Sequence, residues 1–181
     1  MTAFQPPTPP AGPPAGVCAR CRRCCTLAPG EEGLVFPLSQ EDVARLDQAH
    51  GHARWREQSP NSSELLDMLA KLFPRSPAGL ARAFPPGDSH WRLAVRADGR
   101  CFFLGGQGCQ LTAEQRPAHC RLFPVWRLGN HILPLRVECL AIAEAKDMRG
   151  LMKSLDLDVA LVKELFARIQ RAWGLEEERD T

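Results

Sequence analysis

Eight cysteines are the residues of this 181-residue chain whose type and spacing could support specific chemistry. Four of them fall within eight residues, in the run Cys18-x2-Cys21-x2-Cys24-Cys25. A soft metal ion takes several thiolates at about 2.3 Å in a tetrahedron, and C-x2-C spacing lets neighbouring thiolates curl around one centre. An isolated cysteine is usually a small buried hydrophobe, so it is the cluster that predicts metal binding.

The adjacent pair Cys24 and Cys25 raises a separate question. Adjacent side chains tend to leave the backbone in divergent directions, as they do in an extended segment. Both thiols would then reach one ion only with strain. We therefore expect that one of them faces the first metal and that the other faces a second site, a second iron or a non-metal role.

The other four cysteines are spread over the second half of the chain, at Cys101, Cys109, Cys120 and Cys139. Such wide gaps are typical of ligands that folding brings together. The glycines of the loop 105–108 can turn backbone amides toward a charged centre beside Cys109. We predict that all eight thiols are metal ligands: Cys18, Cys21, Cys24, Cys25, Cys101, Cys109, Cys120 and Cys139.

Three polar residues, Arg116, His119 and Arg121, flank Cys120 and are predicted to surround the centre. The arginines could donate to thiolate sulfurs and tune the centre, hold an anionic substrate, or simply balance charge and pack on a loop. His119 could replace a thiolate as a ligand, but eight cysteines make that replacement unnecessary. No catalytic residue is assigned.

The spacing leaves the identity of the metal open. The first three cysteines match the start of the ferredoxin run C-x2-C-x2-C-x3-C-P. The match ends there, because the next cysteine is adjacent and Thr26, not proline, follows it. The predicted cofactor is zinc or iron: two zinc sites of four thiolates would use all eight ligands, and a 4Fe-4S cluster is the alternative.

These motifs resemble the CxxCxxCC family, the zinc- or iron-chelating domain of YkgJ-type cysteine-cluster proteins. The second half carries the rest of the family pattern in order: C-x-F-L at 101–104, G-C-x-L at 108–111, and R-P-x-x-C-R-x-F-P at 116–124. The likeness covers about residues 17–141, with Thr112 where tyrosine is common. It implies a metal or iron–sulfur binder. Some relatives join the domain to flagellin lysine methylation machinery, which implies cluster-dependent methyl transfer as one chemistry.

The first sixteen residues contain six prolines and neither lysine nor arginine, so they lack the basic start and apolar stretch of a secretory signal. We predict a disordered proline-rich leader over 1–16, a cysteine-cluster metal-binding domain over 17–174 and a flexible charged tail over 175–181. Without a signal, reduced thiols in the cytoplasm are favoured over disulfides. A secreted disulfide scaffold is the alternative.

Charge and hydropathy argue against nucleic acid and membranes as partners. The net charge is only +2, so no overall field draws the chain to nucleic acid or to an anionic membrane. No run approaches the ~18 apolar residues of a membrane-spanning helix. Arg20, Arg22 and Arg23 interleave with the first cysteines. These arginines could form a basic zinc knuckle that binds nucleic acid. We favour the alternative, that their positive charge compensates the negative charge of nearby thiolates.

The predicted function is non-enzymatic zinc or iron binding, with the metal structural or in transit. The second hypothesis is an iron–sulfur enzyme component, in methyl transfer or redox chemistry, and the third is a zinc module that binds nucleic acid. The 181 residues show no separate glycine-rich fold for a methyl donor. The protein partner is not predicted.

The expected fold is a small single α+β domain of short antiparallel hairpins and about three to four helices, organised around the cysteine centre. Capping signals predict helices that begin after Ser39 and near 61–64, and an apolar stripe predicts a final helix that ends at Gly174. Hairpins are predicted at 91–104 and 124–137. A short strand is expected at 33–36 and a loop at 75–89.

Overall fold

The computed structural model describes residues 16–31, 34–52 and 54–175. Except for Gly16, the predicted leader lies outside the described residues, and so does the tail from residue 176. Leu175 was assigned to the tail, but it is only 3% exposed and lies against Gly79. The packed part of the chain therefore extends one residue further than predicted.

The described residues form eight α-helices and three two-stranded antiparallel sheets, which confirms the α+β class with more helices than predicted. The helices are α1 Val17–Cys21, α2 Gln40–His50, α3 Ser63–Leu72, α4 Pro77–Ala83, α5 Ala118–Leu122, α6 Leu140–Glu144, α7 Met148–Ser154 and α8 Val159–Trp173. The strand pairs are β1 Arg56–Pro60 with β2 Ser89–Leu93, β3 Leu104–Gly105 with β4 Gly108–Cys109, and β5 Val125–Leu128 with β6 His131–Pro134. None of the helices in the described ranges has the length and apolar character that crossing a bilayer requires.

The predicted helix ends are confirmed where a cap marks them. Ser39 accepts a hydrogen bond from the backbone N–H of Asp42, whose carboxylate accepts one from the Ser39 backbone, so α2 begins with a complete capping box. Ser62 is the N-cap of α3, and its side chain accepts a hydrogen bond from the backbone N–H of Leu65. Gly174 ends α8 in the left-handed conformation, with φ 63°.

Two further predictions differ from the structure: the loop at 75–89 is wrong, and the hairpin at 91–104 forms only near its turn. The loop expected at 75–89 contains α4, which begins at Pro77, a residue whose fixed φ suits a first helical position. The strand β2 pairs with β1 and not with residues 101–104. The part of the predicted hairpin that does form is the bridge between Val95 and Cys101. Polar β1 has no apolar alternation that would have predicted this pairing.

Of the two remaining strand predictions, one is confirmed and the other is wrong. The hairpin at 124–137 is confirmed as β5 and β6, in which Leu128 pairs with His131 across the turn. The strand at 33–36 is wrong for its described part, since 34–36 form a turn and irregular backbone.

Two apolar clusters flank the cysteine segments. The larger contains Leu122, Val125 and Phe166, all buried, and Cys139 packs against it. The smaller is built around Trp55 and Phe103, and Cys101 and Cys109 pack against it. Because thiols border both clusters, the cysteine centre lies where the two packed regions meet.

Candidate metal centre

The first four thiols are presented by α1 and by a short 3-10 turn over Arg23–Cys25. Arg22 joins them in the left-handed conformation, with φ 54°, so that the chain reverses between Cys21 and Cys24. The sulfurs of Cys24 and Cys25 lie 3.9 Å apart. The expected divergence of this pair is therefore wrong, because neighbours in a 3-10 turn are separated by only about 120° around its axis.

A backbone bridge brings the first cysteine run beside Cys101. The Cys101 N–H donates to the carbonyl of Cys25 at 2.8 Å, and the Leu27 N–H donates to the carbonyl of Gly99 at 2.8 Å. The pair Thr26 and Arg100 forms the bridge between these two bonds. These contacts bring Cys25 next to a cysteine that is 76 positions away in the sequence.

The helix α1 also packs against α6 and β4. The backbone N–H of Leu140 donates to the sulfur of Cys21 at 3.3 Å, and Cys139 stands at the N-cap of α6. On the other side of α1, Ala19 contacts Gly108 so closely that a Cβ added to the glycine would lie 2.8 Å from the Ala19 Cβ. The short helix is thus held between two distant cysteine segments.

The thiols influence one another electrostatically. Burial of its sulfur raises the pKa of Cys120 well above the ordinary value, and negative charge at Cys25, Cys101 and Cys109 raises it further. The Cys120 residue is nevertheless exposed to solvent. Burial likewise raises the pKa of Cys101 to about 12. Such thiols release their protons readily only when a cation binds.

Nearby N–H groups and cations oppose this effect of burial. Burial raises the pKa of Cys109, whereas the neighbouring backbone N–H of Leu111 and the charge of Arg116 lower that pKa. The backbone N–H of Phe103 and the charge of Arg96 act in the same way on the pKa of Cys101. Such polar neighbours stabilise thiolates, which are the form that binds metal.

The three flanking residues occupy different environments. Arg116 lies among the thiols, and its charge lowers the pKa of Cys25 after the larger effect of the hydrogen bond with Cys24. The ring of His119 packs on Phe36 with centroids 4.5 Å apart, and burial lowers its pKa to about 4. Arg121 lies near Glu114, whose pKa falls mainly through hydrogen bonds and also through this arginine's charge.

The arginines of the first motif have acidic or carbonyl partners. Arg20 forms a two-pronged pair with Glu144, the shorter contact being 2.8 Å, and Arg23 pairs with Glu138 at 3.4 Å. Arg22 donates to the carbonyls of Ala19 and Gly106. The sequence reasoning missed the two glutamates, although Glu138 stands directly before Cys139. Two cations lower the pKa of nearby thiols: Arg116 acts on Cys18, Cys25 and Cys109, and Arg96 acts on Cys101.

A family model described as "Putative zinc- or iron-chelating domain", CxxCxxCC, matches residues 17–147. This chain belongs to the CxxCxxCC family. No curated protein and no solved structure matches it. The resemblance expected from the cysteine motifs is thereby confirmed, and so is the metal-binding character of the domain at the level of zinc or iron.

The donor set of this CxxCxxCC protein fits a soft metal. Within the described residues, no three Cys, His, Asp or Glu side chains already stand in a metal-ligand arrangement. Thiolates are nevertheless the ligands that soft metal ions prefer, and the sulfurs of Cys24 and Cys25 already stand side by side, 3.9 Å apart. All eight cysteines are free, so they are available as thiolates that would hold the metal.

Arg116→Gln is expected to weaken metal binding about tenfold or more in this CxxCxxCC protein. The substitution removes a positive charge that lowers the pKa of Cys109, Cys25 and Cys18, and loss of such supporting groups typically costs 10–100-fold in affinity. Competition with a metal chelator of known affinity measures the change. Arg121→Gln is the matched control, because Arg121 lies toward Glu114. Equal affinities of the two variants would contradict the role of Arg116.

Proposed function

We propose that this protein binds zinc or iron as a resident metal whose main role is to hold the two packed regions of the domain together. The observation that carries the proposal is the convergence of thiols from separate segments, joined by the bond from Cys101 N–H to Cys25 O and by the bond from Leu140 N–H to Cys21 Sγ. Metal ligation would convert these few contacts into a cross-link.

A reducing cytoplasm is part of the same proposal. Every cysteine is free, and thiolate ligands persist only where thiols stay reduced. Nucleic acid is not proposed as a partner. The pairing of Arg20 with Glu144 and of Arg23 with Glu138 neutralises most of the basic run that such a partner would contact.

An iron–sulfur centre that serves an enzyme is the second candidate. It is favoured by the backbone N–H groups of Phe103 and Leu111, which are neighbours of the Cys101 and Cys109 thiols and lower the pKa of those thiols. Hydrogen bonds to ligand sulfurs are one of the means by which proteins set the potential of an iron–sulfur cluster. In that case the cluster would supply electron transfer or methyl-transfer chemistry.

Purification without air, followed by absorbance, metal and sulfide analysis, tests the proposal. Colourless protein with bound zinc, or protein with iron and no sulfide, supports the resident metal ion. Brown protein with about four irons and four sulfides per cluster supports the iron–sulfur candidate. Protein that stays metal-free after anaerobic reconstitution with either metal would overturn both.

A further inference from the structure

We infer that the eight thiols form two adjacent four-thiolate sites and that each site takes its members from both halves of the sequence. The inference rests on the proposed function that these thiols bind metal. Site A is Cys18, Cys21, Cys24 and Cys139, and site B is Cys25, Cys101, Cys109 and Cys120. Cys25 is thus assigned to a different site from the other cysteines of its motif. Cys139 is likewise assigned to a different site from the three cysteines that precede it in the second half of the chain.

Site B is supported first by backbone geometry. The Cys101 N–H donates to Cys25 O at 2.8 Å, which brings these two residues side by side. Cys109 belongs to the small hairpin that follows, where it pairs with Leu104, and the Gln110 N–H donates to Phe103 O at 2.9 Å. The hairpin therefore turns Cys109 back toward Cys101.

The loop before α5 brings Cys120 to the same place. Arg116 Nε donates to Leu111 O at 3.2 Å, and the Arg116 N–H donates to Thr112 O at 3.0 Å, so this loop folds back on the residues that follow Cys109. The helix α5, which carries Cys120, begins directly after this loop. Cys120 is therefore assigned to the site that contains Cys109, and it supplies the fourth ligand that a tetrahedral thiolate site requires.

Site A is supported by the docking of α6 on α1. The bond from Leu140 N–H to Cys21 Sγ, 3.3 Å long, fixes the start of α6 beside the thiols of α1. Ion pairs on either side of Cys139 hold this docking: Arg23 with Glu138, and Arg20 with Glu144. These contacts place Cys139 next to the first motif.

The helix α1 and the bond of Cys25 with Cys101 complete site A. Cys18 and Cys21 are three positions apart in α1 and therefore lie on the same face of the helix. Cys24 is assigned to the same site, because the backbone bond with Cys101 assigns Cys25 to site B.

The adjacent residues Cys24 and Cys25 are the junction of the two sites. Their sulfurs are 3.9 Å apart, so metal ions bound to them at about 2.3 Å could be no more than about 8.5 Å from each other. The arrangement also gives adjacent cysteines a clear use. Each belongs to a different metal, and neither needs to share one.

Paired double variants test the grouping. The metal content of anaerobically reconstituted protein is measured per chain, with zinc or with cobalt as a spectroscopic probe of tetrahedral thiolate ligation. Wild type should bind two ions. Cys25→Ser with Cys101→Ser, both in site B, should keep one ion, and Cys21→Ser with Cys139→Ser, both in site A, should also keep one.

A third double variant distinguishes this grouping from one in which each site takes all four thiols from one half of the sequence. Cys18→Ser with Cys25→Ser damages both sites and should lose both ions, although both residues belong to one motif. Retention of one ion by this variant, with loss of both ions by Cys25→Ser with Cys101→Ser, would overturn the inference. Wild type that binds a single ion would overturn it too, while leaving metal binding intact. Absence of metal from wild type would refute the proposed function itself.

Discussion

Removal of the metal under reducing conditions is expected to lower the Tm of this protein by about 10 °C or more. A structural thiolate-bound zinc contributes about 10–16 kcal/mol of binding free energy in small zinc peptides, and such energy is lost from the folded state when the metal leaves. For a domain of this size each kcal/mol corresponds to about 2–4 °C. Loss of even a third of that energy therefore produces a shift of this size. Thermal unfolding before and after chelation, with metal re-addition as the control, measures it.

Removal of the metal should destabilise the cysteine segments before it destabilises the whole domain. The segments 18–25 and 94–117 have short elements and few backbone ladders, whereas α3 and α8 belong to the larger apolar cluster. Amide hydrogen exchange of the metal-free protein should therefore accelerate around Cys101 and Cys109 while α8 stays protected. Unchanged exchange in the cysteine segments, together with an unchanged Tm, would show that the metal does not support the fold.

Gly108→Ala is expected to destabilise the protein by about 2–3 kcal/mol and to reduce metal content. Gly108 has φ +101°, a conformation in which an L side chain is strained, at a typical cost of about 1–3 kcal/mol. The new Cβ would also lie 2.8 Å from the Cβ and 3.1 Å from the Cα of Ala19, so α1 must move. Because α1 carries Cys18 and Cys21, this movement should weaken metal binding as well as folding.

Gly106→Ala is the matched control in the same turn. A Cβ at Gly106 would meet nothing within 4 Å, and its backbone is not in the left-handed region. We expect a change in unfolding free energy below about 0.5 kcal/mol and unchanged metal content, as for most surface substitutions. Denaturant unfolding and elemental analysis of both variants measure the contrast. Equal behaviour of the two alanine variants would show that the contact of α1 with Gly108 is not required.

Local features of this chain were predictable because their causes are local. The spacing of Cys18, Cys21 and Cys24 predicts thiolate ligation from a few residues, without knowledge of the fold. The cap at Ser39 and the left-handed end at Gly174 are likewise decided by neighbouring backbone groups, and both predictions are confirmed. The pairing of β1 with β2 was not predictable, because the polar strand β1 pairs with residues that are 29 to 37 positions away in the sequence.

The sequence by itself determined the eight thiols, the family pattern and the soft character of the metal, since these follow from residue types and short spacings. Only the tertiary structure decided which thiols are neighbours. Cys25 meets Cys101 through a backbone bridge, and Cys21 meets the start of α6 through the Leu140 N–H. The physical reason is that these contacts depend on the docking of distant segments, and spacing within a motif carries no information about docking.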